Sequence, residues 1–426
     1  MKYASVLLAV GCLVTAAYPQ WLETTIQLSP ASGPSAFCYN SRDNKIYCAT
    51  TGHDSVVIVD GETNQIVNTV TAGDVPFALC YGSQNDLIYC ANYGAASVTV
   101  IDGATNQVVC DVSTGNGPRD VCYNSQGNKV YCANREDNTV SVIDCMSNDV
   151  IATVGVGAAP SVLCYNPQDN KVYCGDEFVD SVTVIDGTSD HVIASIPAGS
   201  PWAFSYNTQN DRVYCADYGD RVVVIDGVTD QVIASTIVGD VPDALCYNSH
   251  DNRVYSANLG SEDVSVIDGA TNEVIATVTA GYAPWALCYN PENNKVYCAS
   301  YEHVTVIDGT SNQVLRTIDV GSNPVSLCYN PMQNRVYVAN EASSTISVLR
   351  DSVAGIEESY KPQATKLKQS QTILSGASGV KRLASSVVFD PMGRRVTDPR
   401  SGIFFIRDEG RGAGAAGRTR KVILQR

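Results

Sequence analysis

The sequence predicts an all-β protein: an eight-bladed β-propeller of four-stranded antiparallel blades, followed by a small C-terminal β-module. Three observations carry this. First, Cys38-Tyr39-Asn40, Cys80-Tyr81-Gly82, Cys122-Tyr123-Asn124, Cys164-Tyr165-Asn166, Ser205-Tyr206-Asn207, Cys246-Tyr247-Asn248, Cys288-Tyr289-Asn290 and Cys328-Tyr329-Asn330 recur every 40 to 42 residues. Second, each repeat holds four short runs rich in Val, Ile and Tyr, and none carries a helical apolar period over ten residues. Third, the last repeat lacks its fourth run, and a run of the right kind stands before the first.

In the third repeat the runs are Val121 to Tyr123, Val130 to Ala133, Val140 to Ile143 and Val150 to Val154. Asn, Asp and Gly cluster between them, residues that tolerate positive φ or bond their own backbone. One repeat is therefore a meander. A lone meander cannot bury both faces, whereas stacked ones can. The eighth repeat supplies Val325 to Tyr329, Arg335 to Val338 and Thr345 to Leu349. The missing strand is Thr24 to Leu28, which closes the ring and removes two exposed edges. Seven blades is the alternative count.

Residues 1–17 read as a secretory signal peptide: a Lys2 flank, then an apolar run from Ala4 to Ala17 that is short for a membrane span. Gly11-Cys12 offers lipidation as an alternative, although Ala9-Val10-Gly11-Cys12 is a poor match to such a site. The propeller spans 24–350, a polar stretch at 351–385 reads as a linker, and 386–426 form the C-terminal module. No other stretch suits a membrane span. Residues 1–350 hold 14 Lys and Arg against 37 Asp and Glu, a net charge of −23. Such a surface repels phosphates, which argues against nucleic acid as a partner.

Five repeats hold a Cys-x9-Cys pair: Cys38/Cys48, Cys80/Cys90, Cys122/Cys132, Cys164/Cys174 and Cys288/Cys298. A hairpin centred on the fifth intervening residue would set the two face to face for a disulfide, which export permits. Three repeats keep only one member, Cys215, Cys246 and Cys328. That pattern favours buried free thiols filling small apolar positions. Four His in the chain and no close set of four ligands argue against zinc. No metal or cofactor is expected.

The wording of the repeats resembles the YVTN family of β-propellers. Asn330-Pro331-Met332-Gln333-Asn334-Arg335-Val336-Tyr337-Val338-Ala339-Asn340 carries the resemblance, as does Val264-Ser265-Val266-Ile267-Asp268-Gly269-Ala270-Thr271-Asn272-Glu273-Val274-Ile275-Ala276-Thr277-Val278. It covers about residues 24 to 350 and implies fold: secreted or surface propellers with no shared reaction. The chain departs from it in placing Cys where Val or Ala is usual.

Comparison of the repeats separates scaffold from site. The Asp-Gly turns at Asp60, Asp102, Asp186, Asp226, Asp268 and Asp308 hardly vary; local backbone bonding explains them better than calcium. Two places do vary. One is the residue after the repeat-ending Pro, including Phe77, Arg119, Trp202, Asp243 and Trp285. The other is the loop after the second strand, including Tyr93, Glu177, Tyr218, Tyr301 and His303. Alternating strand direction puts both at one rim, so these ten residues are the candidate binding set. Trp beside carboxylates suits a sugar ring or a cationic group; packing at blade junctions is the plainer role. No catalytic residue is assigned.

The C-terminal module reads strand, turn, strand over Ser386 to Val396, with further strands at Ser401 to Arg407 and Arg420 to Arg426. It resembles the sorting domain of type IX secretion cargo. The resemblance implies recognition by secretion machinery through Asp390, Gly393, Val396, Gly402 and Lys421. A plain β-module is the alternative. The leading expectation is thus a secreted or cell-surface, non-catalytic propeller that binds a protein or glycan on its variable rim. A lactonase-like or glycan-processing enzyme, and a surface-layer or adhesion scaffold, are the alternatives.

Overall fold

The computed structural model describes residues 20–351 and four later strands, Thr372–Ser375, Ser386–Phe389, Gly402–Asp408 and Thr419–Gln425. Residues 20–351 form eight four-stranded antiparallel sheets, the eight blades predicted. Blade 1 runs Pro34–Asn40, Lys45–Thr50, Ser55–Asp60 and Ile66–Thr71. The first strands are innermost. Each packs beside the next, and that of blade 8, Pro324–Asn330, packs against that of blade 1.

Closure follows the expected route. Trp21–Gln27 pairs antiparallel with Thr345–Arg350, placing Gln27 opposite Thr345 and Trp21 opposite Arg350. The strand begins three residues earlier than its apolar run suggests. Glu23 accounts for part of this: its carboxylate takes two N–H bonds from Arg335, at 2.6 and 2.7 Å.

Turn chemistry sets the blade geometry. Asn44, Asn64, Asn106, Asn128, Asn170 and Asn272 all adopt positive φ between 50° and 61°, which Asn tolerates better than most residues. Asp60 Oδ1 accepts from the Thr63 backbone N–H at 2.7 Å and from its hydroxyl at 2.6 Å. Asp102, Asp186, Asp226 and Asp308 repeat this bond. These carboxylates are occupied as turn acceptors.

The blades are joined by a circle of tyrosines. Tyr47, Tyr89, Tyr131, Tyr173, Tyr214, Tyr255, Tyr297 and Tyr337 are buried on the second strands. Seven of the eight hydroxyls donate to the last turn of the next blade, for example Tyr47 to Asn106 at 3.1 Å, Tyr214 to Asn272 at 2.7 Å and Tyr337 back to Asn64 at 2.7 Å, and Tyr297 donates to Asp351 at 2.8 Å. Inner-strand asparagines of seven blades form a second set of links, such as Asn40 to Asp86, Asn124 to Asn170 and Asn330 to Asn44, interrupted at blade 2 by Gly82. This rim is committed to holding blades together, which explains its repetitiveness.

The face-to-face cysteine geometry is not what forms. The turn between the first two strands has four residues, so Asn40 pairs with Lys45 and Cys38 pairs with Tyr47, not Cys48. A slip of one residue sends the two thiols to opposite faces. The fifteen cysteines of the described residues are free. Burial pushes Cys38 up to about 12 and holds the others of the inner strands above the usual thiol range.

The chain divides into two compact units, 1–356 and 357–426. In the second, Thr419–Gln425 pairs parallel with Thr372–Ser375 and antiparallel with Gly402–Asp408, which pairs in turn with Ser386–Phe389. The stretch 351–385, read from composition as a linker, thus contains a strand. The signal peptide, Cys12, Asp390, Gly393 and Val396 lie outside the described residues; Gly402 and Lys421 lie on paired strands.

Candidate functional site

The variable rim is built on a repeated irregularity. Every inner strand starts at a proline, and in every blade the ladder shifts register just after it. Pro118 opposes Asn134, Asp120 opposes Ala133, and Arg119 between them has no partner. The same shift frees Ser35, Phe77, Ser161, Trp202, Asp243, Trp285 and Val325. A bulged residue is left out of the ladder and its side chain is re-aimed. These positions vary because sheet pairing places no demand on them.

Four of the eight converge. Arg119 lies over the Phe77 ring, with its guanidinium carbon 5.0 Å from the centroid, and 6.0 Å from the centroid of Trp202. The indole N–H of Trp202 donates to Asp243 Oδ1. Phe77, Arg119, Trp202 and Asp243 belong to blades 2, 3, 5 and 6, so the contacts span the mouth of the ring. Flanking tyrosines come from the next loop on the same blade: Tyr93 against Phe77 at 6.2 Å and Tyr218 against Trp202 at 5.9 Å. Phe77 and, on blade 7, Trp285 stay 37% and 38% exposed, which leaves aromatic surface for a ligand.

Two carboxyls of the mouth are electrostatically unusual. Burial pushes Asp243 up to about 6, against the opposing pull of the Trp202 N–H and Arg119. Burial also pushes Asp120 up to about 6, although it accepts from Leu163 N at 2.7 Å and Val121 N at 2.9 Å. Ser161 Oγ is buried with no partner. Asp120 is absent from the sequence-derived set. The signal for it was present: the other repeats carry Ala36, Ala78, Val162, Ala203, Ala244, Ala286 and Ser326 at that position, and a lone carboxylate stands out.

The remaining candidates lie apart from this cluster. Glu177 accepts from Arg135 Nη2 at 2.8 Å, and Arg135 also covers Phe178 at 5.1 Å. Tyr301 packs edge-on against Tyr282 at 5.8 Å. His303 Nδ1 is 3.0 Å from Asp319 on the outer strand of blade 7. Among the described residues no group of three or more His, Cys, Asp or Glu is arranged to hold a metal. A shallow groove of about 550 Å³, lined by Val156, Asp180, Thr183, Val192 and Pro197, lies on outer strands of blades 3 and 4.

Residues 24–210 match a family model described as a YNCE-like beta-propeller. No curated protein matches the chain. Among solved structures, the computationally designed Ika8 protein is similar with a TM-score of 0.65 at 18% identity, over 76% of this chain and 98% of that one. The hydrazine synthase of Kuenenia stuttgartiensis is similar with a TM-score of 0.56 at 18% identity, over 77% and 98%. At that identity the likeness is one of fold alone.

Proposed function

We propose that this protein is a secreted or cell-surface binding module, without catalysis, that receives a protein or glycan ligand at the variable mouth of the propeller. The observation that supports this most directly is the bulge ring. It gathers Phe77, Arg119, Trp202 and Asp243 on a rigid closed scaffold, with exposed aromatic surface on Phe77 and Trp285. Rigid elements that present variable aromatic and charged side chains are how scaffolds carry recognition. The test is the double variant Trp202→Ala, Trp285→Ala in a glycan-array and cell-surface binding assay. Binding lost in a folded variant supports the reading, and unchanged binding overturns it. An adhesion role with the ring as spacer predicts the unchanged result.

Export rests on the apolar run of residues 4–17, and surface delivery on the C-terminal unit's likeness to type IX cargo. Cell fractionation of the whole protein and of a chain ending at 356 tests both. A second reading is favoured by one observation: two carboxyls near pH 6 at one mouth, as acid–base chemistry requires. A turnover screen with lactones and glycosides, repeated on Asp120→Asn and Asp243→Asn, decides it.

A further inference from the structure

The arginines other than Arg119 that are withdrawn from solvent among the described residues are bonded. Arg135 binds Glu177, Arg212 binds Asn272 at 3.1 Å, Arg253 binds Asn312 at 3.0 Å, Arg335 binds Glu23, and Arg350 binds the Gln333 carbonyl at 3.0 Å. Arg119 is half-buried and makes no hydrogen bond or ion pair to any described residue. Its guanidinium carbon lies within 5.0 Å of the Phe77 ring centroid and 6.0 Å of the Trp202 centroid, contacts drawn from two other blades. A guanidinium carries five N–H donors in a planar fork. None of these donors is taken up by a described residue, and the nearby Asp243 is engaged by the Trp202 indole.

We propose that Arg119 is an anion-receiving arm at the channel mouth, and that it takes the carboxylate of a small organic acid whose remaining atoms meet the exposed surface of Phe77. This rests on the binding-module reading above and narrows its ligand class. The planar fork matches a carboxylate through two parallel hydrogen bonds. A monoanion suits the site better than a phosphate dianion, since Asp120 and Asp243 stand within electrostatic reach of Arg119 and the propeller is strongly acidic. The guanidinium already lies beside both rings, so a cationic ligand would meet a like charge there. An aromatic acid and a sugar acid share the required chemistry.

The experiment is calorimetric titration of the full chain with sodium benzoate and sodium glucuronate. Benzyl alcohol and glucose serve as uncharged counterparts, and inorganic phosphate as the competing anion. Variants Arg119→Ala and Arg119→Lys are checked for folding by their melting curves. The expected result is saturable binding of one or both acids and none of the uncharged counterparts. Arg119→Ala should weaken it roughly ten- to hundred-fold, with Arg119→Lys falling between. Acids bound equally well by Arg119→Ala, or not bound at all, overturn the proposal, as does phosphate bound more tightly than either acid. Should the glycan array return neutral sugars whose binding depends on Trp202 and Trp285 but not on Arg119, this inference fails while the binding-module reading stands.

Discussion

Tyr297 donates its hydroxyl proton to Asp351 Oδ2 at 2.8 Å. In other blades the matching acceptor sits in the turn between the third and fourth strands, such as Asn272 or Asn312. Blade 8 has no such turn, because its fourth strand comes from the other end of the chain. Asp351, the residue after the third strand, fills the vacancy. Its carboxylate also accepts from Lys295 Nζ at 2.6 Å, Gln20 Nε2 at 3.1 Å and Asn290 Nδ2 at 3.1 Å.

Asp351→Ala should therefore be among the most damaging single changes in the propeller. It takes the carboxylate from a nearly solvent-free Lys295, and breaking a buried ion pair in this way costs about 3–5 kcal/mol. Asp351→Asn, which keeps an oxygen acceptor for Tyr297, should cost less. Urea unfolding of both variants checks the order; both lose the ion pair, so equal losses would deny the retained acceptor for Tyr297 a role.

At the joint between blades 4 and 5, Asp169 and Asp211 each leave Oδ2 buried without a partner. The matching joint between blades 6 and 7 has Asn294 Nδ2 donating to Asp251 Oδ2 at 2.7 Å. Where that joint has an amide donor, this one has a second carboxyl. Burial, then the Asp211 carboxyl, holds Asp169 above the usual carboxylate range, with Lys171 opposing. An acid whose folded pKa is raised contributes stability at low pH that is lost as pH rises through that value. Asp211→Asn should restore the missing donor and stabilise the protein by about 1 kcal/mol at pH 7, with the gain shrinking toward pH 4. Thermal melts across that range would expose the idea as wrong if the gain were flat.

The two carboxyls of the mouth have the same sign. Asp120 and Asp243 both titrate near 6, so their protonated forms favour the fold at low pH. Wild-type stability should decline between about pH 4 and pH 6, on the order of 1–2 kcal/mol for each group. The double variant Asp120→Asn, Asp243→Asn should lose that slope in a pH series of melting temperatures. Affinity for a carboxylate ligand should fall over the same window in the wild type, as two negative charges arise beside Arg119.

Native thiol reactivity is the simplest check on the cysteines. Cys48, Cys90, Cys132, Cys174, Cys215 and Cys298 are fully buried, and burial holds each above the usual thiol range. A maleimide should leave them unlabelled in the folded protein and label them all in denaturant without reductant. Masses showing linked Cys38 and Cys48 peptides would contradict the register.

Much of the fold was legible because the repeats restate it. Turn residues and apolar runs located the strands, and the missing run of the eighth repeat located the closing strand before Pro34. The cysteine register was harder. It depends on whether a turn has four or five residues, and Ser41 to Asn44 accommodate either by composition. The site was half legible. Variation after each proline marked Phe77, Arg119, Trp202 and Asp243, yet which of them touch depends on side chains meeting across non-adjacent blades. No spacing encodes that. Asp120 is hard to read from sequence because it is a single carboxylate at a position where the other repeats carry small or apolar residues, so it stands as one exception and not as part of a variable set.

The register shift after each inner-strand proline has a lasting consequence. Since Arg119 and its seven counterparts take no part in ladder pairing, each can be exchanged with little penalty to the sheet behind it. The ring thereby acts as an interchangeable eight-letter face. New specificities can be written on it one blade at a time, while the tyrosine circle at the far end keeps the frame intact.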